Sequence, residues 1–399
     1  MTGRGLLTEQ QRRIVTLPTD TNYLVTGPPG SGKTVLLLHR ADEILRHQGA
    51  PPSKLRVLVF THILRAYIDS GAETLHLPLE IIQSFYSWVF QLADREGLSR
   101  SKATRVEDKC KETLEAAADY FETQQPEPVI DVVLVDEGQD LPSAAYRLLV
   151  KASRHVTVFA DPTQKLYAGG ADLEDAAAIL GIRKGGFTLV ENLRGSFEVS
   201  CLAAQFLSPI ARDNYLRMQR KRVIPGTTRV PLLLRATTFD QEWQRIAEIL
   251  KHEIASNVRV GILVPDNAMV TTAYQALTAA GVPLQKVMAR DLAQADFNDL
   301  TPKVLTIFSA KGLSFDTVLV PRIVPPHYTH AVAPPAQMLF VACSRAFDWV
   351  CLSTIEGKET KELGHLDELL RAGHLVEQRG QATPPALRKG SLPVEDAPF

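Results

Sequence analysis

Short apolar runs alternate with amphipathic stretches along most of this chain. Tyr23-Leu24-Val25, Leu55 to Phe60, Val129 to Val135 and Val156 to Ala160 are compact runs rich in β-branched residues. Such runs, apolar throughout rather than at every second position, predict parallel strands buried on both faces. Between them the pattern turns helical. Thr8 followed by Gln11 is a capping-box signature opening a helix over 7–17, and Val35 to Leu45 predicts a second helix. Residues from about 92 to 125 are rich in Ala, Glu and Lys and predict a small helical insertion, closed by Pro126 and Pro128. The alternation then starts again: Val230 to Leu234, Val258 to Val264 and Val304 to Phe308 predict strands. Glu242 to Ile254, Ala273 to Ala280 and Leu339 to Ala346 predict helices. Strands alternating with helices twice over predict an α/β protein with two parallel-sheet domains, expected at 1–195 and 196–372. From residue 373 onward, Pro384, Pro385, Pro393 and Pro398 among scattered charges predict a disordered tail.

Composition narrows the partners. Forty-four basic against 45 acidic residues leave a net charge of −1, so any grip on nucleic acid must be local rather than a global field. The basic residues Arg217, Arg220, Lys221 and Arg222 form the one cluster of note, readable as a solvated helix end or as a phosphate contact. Cys110, Cys201, Cys343 and Cys351 are scattered without C-x-x-C spacing, which predicts reduced thiols and no zinc site. Nothing approaches an apolar stretch long enough to span a bilayer, and the N-terminus lacks a leader pattern. A cytoplasmic protein without a membrane partner is expected.

The chemistry centres on Gly27-Pro28-Pro29-Gly30-Ser31-Gly32-Lys33-Thr34, which fits G-x-x-x-x-G-K-[ST] between a strand and a helix. Glycines let successive N–H groups and the helix N-terminus face β- and γ-phosphates; Lys33 adds a charge, and Thr34 is placed to hold Mg²⁺. Asp136-Glu137-Gly138-Gln139-Asp140 stands at the carboxyl end of an apolar strand. Asp136 is expected to hold Mg²⁺ and Glu137 to serve as base for the attacking water. Gln164, after the next strand, is expected to sense the γ-phosphate and orient that water. Arg194 falls where the first domain ends. Arg345 sits in an apolar segment where a lone guanidinium is costly to desolvate without an anion, which marks it as a candidate arginine finger. Other positions carry two readings. Gln11 can cap its helix or present its amide to a base. Thr61 and His62, at a strand end, can touch a substrate or cap a helix beside an exposed ring. The aromatics of Ile81 to Trp88, Phe85 among them, can stack bases or fill the core.

Taken together and in order, these segments resemble the superfamily 1 helicases, most closely the UvrD/Rep-like group, over residues 7 to about 354. Gln11 matches the Q motif, Gly27 to Thr34 motif I, Phe60-Thr61 motif Ia and Ser84-Phe85 the next. Asp136 to Asp140 matches motif II, Asp161-Pro162-Thr163-Gln164 motif III and Asn192-Leu193-Arg194 motif IV. Thr306 with Lys311-Gly312-Leu313 matches motif V, and Val341 to Ala346 motif VI. The resemblance implies two RecA-like domains with ATP in the cleft between them. Gln11, Gly27 to Thr34, Arg194 and Gly312 would contact the nucleotide, and Lys33, Glu137, Gln164, Arg194 and Arg345 would carry hydrolysis. It further implies a single strand of DNA, or RNA, held by Thr61, Phe85, Tyr167 and Phe308. Departures are Leu193 where an aromatic is usual, Phe308 for His, Ser314 for Glu, Gly138 for alanine, and motif III without a following tryptophan. Large insertions are lacking too.

Two functions follow. The first is an ATP-dependent translocase or helicase on single-stranded nucleic acid, DNA before RNA. The second is an ATPase switch within a larger complex, stimulated by nucleic acid or a partner protein. A small-molecule phosphate-loop kinase suits motif I alone and leaves the second parallel domain and Arg345 unused.

Overall fold

The computed structural model describes residues 7–60, 65, 75–99, 101–167, 169–182, 186–190, 196–219, 229–289, 295–328 and 333–380. Thr61, His62, Arg194, Arg220, Lys221 and Arg222 lie outside the described residues. The chain divides into two compact units, Met1–Glu191 and Asn192–Phe399. Both are α/β with parallel sheets, the fold class that the strand and helix alternation predicts.

In the first unit the chain runs α1 (Glu9–Val15), β1 (Tyr23–Thr26), α2 (Lys33–Arg46), β2 (Leu55–Val59), β3 (Ile82–Ser84) and α3 (Phe85–Arg95). It continues through α4 (Val106–Gln124), β4 (Ile130–Val135), α5 (Ser143–Ala152), β5 (Ser153–Ala160), α6 (Leu173–Ile179) and β6 (Phe187–Thr188). The sheet order is β3-β2-β4-β5-β1-β6, and every pairing is parallel. All carboxyl ends therefore share one edge. That edge receives the loops after β1, β4 and β5, which carry the phosphate loop, the acidic turn and Gln164. The strands run apolar because helices cover both faces: Val57, Leu58, Val133, Leu134 and Val158 are fully buried.

The segment expected as a small helical insertion is helical over Val106–Gln124 and packs into the core of the first unit. Leu114, Ala117, Ala118 and Phe121 of α4 belong to the same core cluster as Val133, Tyr146 and Val158. Its charged surface at 3.6-residue spacing hides an apolar stripe that packs against α3 and α5.

The second unit contains α7 (Phe197–Ala204), α8 (Pro209–Arg217), β7 (Leu232–Ala236), α9 (Phe239–Ala255), β8 (Val260–Val264), α10 (Asn267–Ala279), β9 (Gln285–Lys286) and β10 (Lys303–Thr306). Then come β11 (Phe315–Val320), α11 (Pro335–Cys343), β12 (Ala346–Ile355), α12 (Asp367–Ala372) and β13 (Val376–Arg379). Its sheet runs β13-β7-β12-β11-β8-β10-β9, again parallel throughout.

Two expectations are corrected here. The apolar helix expected to reach Ala346 stops at Cys343, and Ala346–Ile355 is a strand inside the sheet, so Arg345 stands in the turn between them. Residues 373–380, expected to open a disordered tail, are ordered, and residues 381–399 lie outside the described residues. Gly373 ends α12 with φ 76°, and Val376–Arg379 pairs with β7 as the edge strand. Leu375 anchors this segment at 2% exposure, while backbone pairing supplies what its polar sequence does not. Among the described residues no helix is long and apolar enough to cross a membrane.

Candidate functional site

β1 delivers the chain into the loop 27–34. Gly30 and Gly32 hold φ of 79° and 87°, values that only glycine adopts cheaply, and these turns wrap the loop back to start α2 at Lys33. Gly27 is required differently: a Cβ there would come within 2.8 Å of Leu189 Cβ and of Ser31 Oγ. No side chain caps α2, so its first N–H groups are presented to the loop's concavity with the positive end of the helix dipole. Lys33 is folded onto its own loop. Its Nζ donates to Gly27 O (2.8 Å) and Pro28 O (2.9 Å) and lies 3.4 Å from Asp161 Oδ2. Ser31 Oγ is buried without a hydrogen-bond partner among the described residues.

The acidic turn faces this loop. Thr34 Oγ1 donates to Asp136 Oδ2 at 2.7 Å, joining the two residues expected to share a cation. Burial and the neighbouring Glu137 push the Asp136 carboxyl up to about 6, against the opposing pull of the Thr34 hydroxyl and Lys33. Glu137 follows with φ 55°, a left-handed backbone costing a non-glycine residue on the order of 1 kcal/mol. Gly138 answers its own departure from the resembled motif: a Cβ would stand 2.3 Å from Val158 Cγ1 and 3.0 Å from Tyr146 Oη. Tyr146 Oη occupies that space to donate to Gly138 O at 2.7 Å, so the tyrosine and the glycine come as a pair.

Gln164 is buried at 2% exposure, and its Nε2 donates to Asp161 Oδ2. Asp161, fully buried at the end of β5, also accepts from Thr163 N at 3.0 Å and Thr163 Oγ1 at 2.6 Å. It thus gathers Lys33 and Gln164 on one carboxylate. The sequence reading assigned it no role, although an acidic residue ending a strand before Pro-Thr-Gln was the visible signal. Gln11 serves the first of its two readings, the cap, and also touches the phosphate loop. The capping box forms, with Oε1 accepting from Thr8 N at 3.0 Å, while Nε2 donates to Ser31 O of the phosphate loop at 3.2 Å.

The expected polymer contacts divide. Phe85 is only 1% exposed, with its ring against Tyr86 and Trp88 in the core, and so presents no face to a base. Its neighbour Tyr86 is half-buried and stands 6.4 Å from Phe60, which in turn meets Tyr167 at 4.9 Å. Phe60, Tyr86 and Tyr167 are therefore the rings grouped where β2, β3 and β5 end.

In the second unit Arg345 is 6% exposed just beyond α11. It donates to Val341 O (3.3 Å), Leu313 O (3.4 Å) and Ser344 Oγ (3.2 Å). Those bonds bring it beside Gly312, whose φ of 81° turns the chain after the buried Lys311. Phe308 is half-buried in the preceding turn.

The parallel sheet and glycine loop define a phosphate-loop α/β fold. Residues 10–170 match the family described as "AAA domain", a span holding Gln11, the phosphate loop, the acidic turn and Gln164. Among solved structures the chain is similar to the C-terminal domain of a possible DNA helicase from Lactobacillus plantarum WCFS1. The two share 17% identity, over 46% of this chain and 97% of that one, with a TM-score of 0.36. No curated relative matches the chain.

Proposed function

We propose that this chain is an ATP-hydrolysing motor acting on single-stranded nucleic acid, DNA in preference to RNA, in the cytoplasm. One observation carries the reading: Lys33, Thr34, Asp136, Glu137 and Gln164 converge at the carboxyl ends of β1, β4 and β5, tied by direct bonds and through Asp161. The residues suit Mg²⁺, because a hydroxyl and a carboxylate, both hard oxygen donors, already stand 2.7 Å apart. When bound, Mg²⁺ would neutralise charge on the β- and γ-phosphates. Lys33 is poised to leave the carbonyls of Gly27 and Pro28 for phosphate oxygens, a charge-assisted exchange. Glu137 takes the proton of the attacking water, Gln164 orients that water, and Arg194 and Arg345 supply charge to the transition state.

The family match over residues 10–170 supports the nucleotide half of this reading. The ordered resemblance and the ring group Phe60, Tyr86 and Tyr167 support the polymer half, since bases of any sequence stack on such rings. Free thiols at Cys110, Cys201, Cys343 and Cys351 suit a reducing compartment.

Steady-state ATP hydrolysis by the purified chain, with and without single-stranded DNA and RNA at low salt, tests both halves. Strong stimulation by DNA that disappears in Glu137→Gln is the expected result. Turnover indifferent to both polymers would overturn the motor and favour the ATPase switch governed by a partner protein; absence of turnover would overturn both.

A further inference from the structure

Gln139 lies in the one-turn helix Gly138–Asp140 between β4 and α5, at 1% exposure. Both ends of its amide are used. Nε2 donates to Glu137 Oε2 at 2.5 Å, and Oε1 accepts the backbone N–H of Asp161 at 2.8 Å. Its backbone is pinned as well, because Gly170 passes so close that a Cβ there would meet Gln139 O at 2.3 Å. One side chain therefore spans from the tip of β4 to the tip of β5.

What it holds matters for the reaction. Glu137 sits in left-handed backbone, so its carboxylate is aimed by a strained turn rather than by a regular element. A base contributes only when its oxygen is within hydrogen-bond reach of the proton it abstracts, and small misplacement is expensive. Gln139 fixes Oε2 by donation and refers that position to Asp161. The Asp161 carboxylate in turn takes Lys33 and Gln164. Base, phosphate lysine and water-orienting glutamine thus share one origin. Glutamine is the residue type this bridge requires. Asparagine is a methylene too short to reach both partners from the same backbone. Glutamate keeps the acceptor for Asp161 N–H but sets oxygen against oxygen at Glu137, and methionine fills the volume with neither bond.

We propose that Gln139 is a positioning residue for ATP hydrolysis, orienting the Glu137 carboxylate against the end of β5. The inference rests on the ATPase reading above and adds to it a residue that does not itself touch the nucleotide. In Gln139→Glu and Gln139→Met, kcat should fall by ~10-fold to ~100-fold, as expected when a catalytic group is misplaced. KM for ATP and the affinity for a fluorescent ATP analogue should stay near wild type, the pattern of an interaction used only in the transition state. The decisive comparison is the double variant. Glu137→Gln/Gln139→Met should turn over no more slowly than Glu137→Gln alone, because nothing remains for Gln139 to orient.

Wild-type kcat in Gln139→Glu would overturn the proposal. So would losses that multiply in the double variant, or kcat and affinity falling together, since each describes a structural bridge. These failures require a wild-type chain that hydrolyses ATP through Glu137. A wild-type chain without turnover, or an undiminished Glu137→Gln, instead fails the ATPase reading and takes this proposal with it.

Discussion

Each unit buries an arginine at the carboxyl end of a helix, and the two are held differently. Arg40 of α2 is fully buried in the first unit. It donates to Ile14 O (3.2 Å), Val15 O (3.4 Å), Leu17 O (2.8 Å) and Pro18 O (3.2 Å), with Nε on Thr157 Oγ1 at 3.1 Å. Burial lowers it to about 10, which leaves it a cation at neutral pH. Carbonyls at the negative end of the α1 dipole neutralise it. Arg345, 6% exposed, meets one helix-end carbonyl, Val341 O (3.3 Å), with the loop carbonyl of Leu313 (3.4 Å) and the Ser344 hydroxyl (3.2 Å). Arg40 is closed in by the carbonyls that follow α1, whereas Arg345 keeps 6% exposure in the turn before β12, and the proposed function gives only the second a part in the chemistry.

The largest effect tests Arg345. Arg345→Ala should cut ATP turnover by ~10³ while leaving nucleotide affinity and the thermal midpoint close to wild type. Turnover and analogue binding measured on the same preparation decide it; normal turnover would make Arg345 a helix cap like Arg40.

Arg40→Met should do the reverse. Stripping the carbonyls of Ile14, Leu17 and Pro18 of their donor should cost roughly 3 kcal/mol in urea unfolding, with turnover per folded molecule little changed. The same cage makes a pH prediction. His155 lies 3.2 Å from Arg40 Nη2, and burial together with that guanidinium lowers it from 6.5 to about 3. Below its ordinary range the unfolded chain therefore binds a proton that the folded chain refuses. His155 costs no stability above pH 6.5, and stability falls as pH drops from 6.5 toward 3. At about pH 5 the loss from this residue should be about 2 kcal/mol. His155→Gln should flatten the pH dependence of urea unfolding by that amount. An unchanged slope would mean the ring takes a proton without disturbing the cage.

The phosphate loop was legible because its constraint is local: Gly30 and Gly32 supply the turn and Lys33-Thr34 the chemistry within eight consecutive residues. Most strands were legible because both faces are covered, leaving no alternation to mistake. What escaped depended on neighbours in space. Cys343-Ser344-Arg345 contains neither glycine nor proline, so nothing along the chain marked the change from α11 to β12. Phe85 and Tyr86 are adjacent, and only the packing of α3 decides that Phe85 faces the core while Tyr86 meets Phe60. Asp161 and Gln139 gain their importance because β5 lies beside β4 and β1, a strand order that no run of residues announces.

The smallest effect comes from a third arginine, on the surface. Arg147 of α5 joins Glu115 (2.8 Å), Asp119 (3.2 Å) and Glu122 (2.7 Å) of α4, more carboxylates than either buried arginine meets in the bonds above. Yet its side chain is 30% exposed and those carboxylates are 35–67% exposed, so water and salt screen each pair. Arg147→Ala should therefore cost less than about 1 kcal/mol in urea unfolding, and less again at high salt. The apolar stripe of Leu114, Ala117 and Phe121 is what attaches α4. A loss several times larger, insensitive to salt, would mean the ion network rather than that stripe holds the layer, and formal charge would then outrank burial in setting what an arginine contributes.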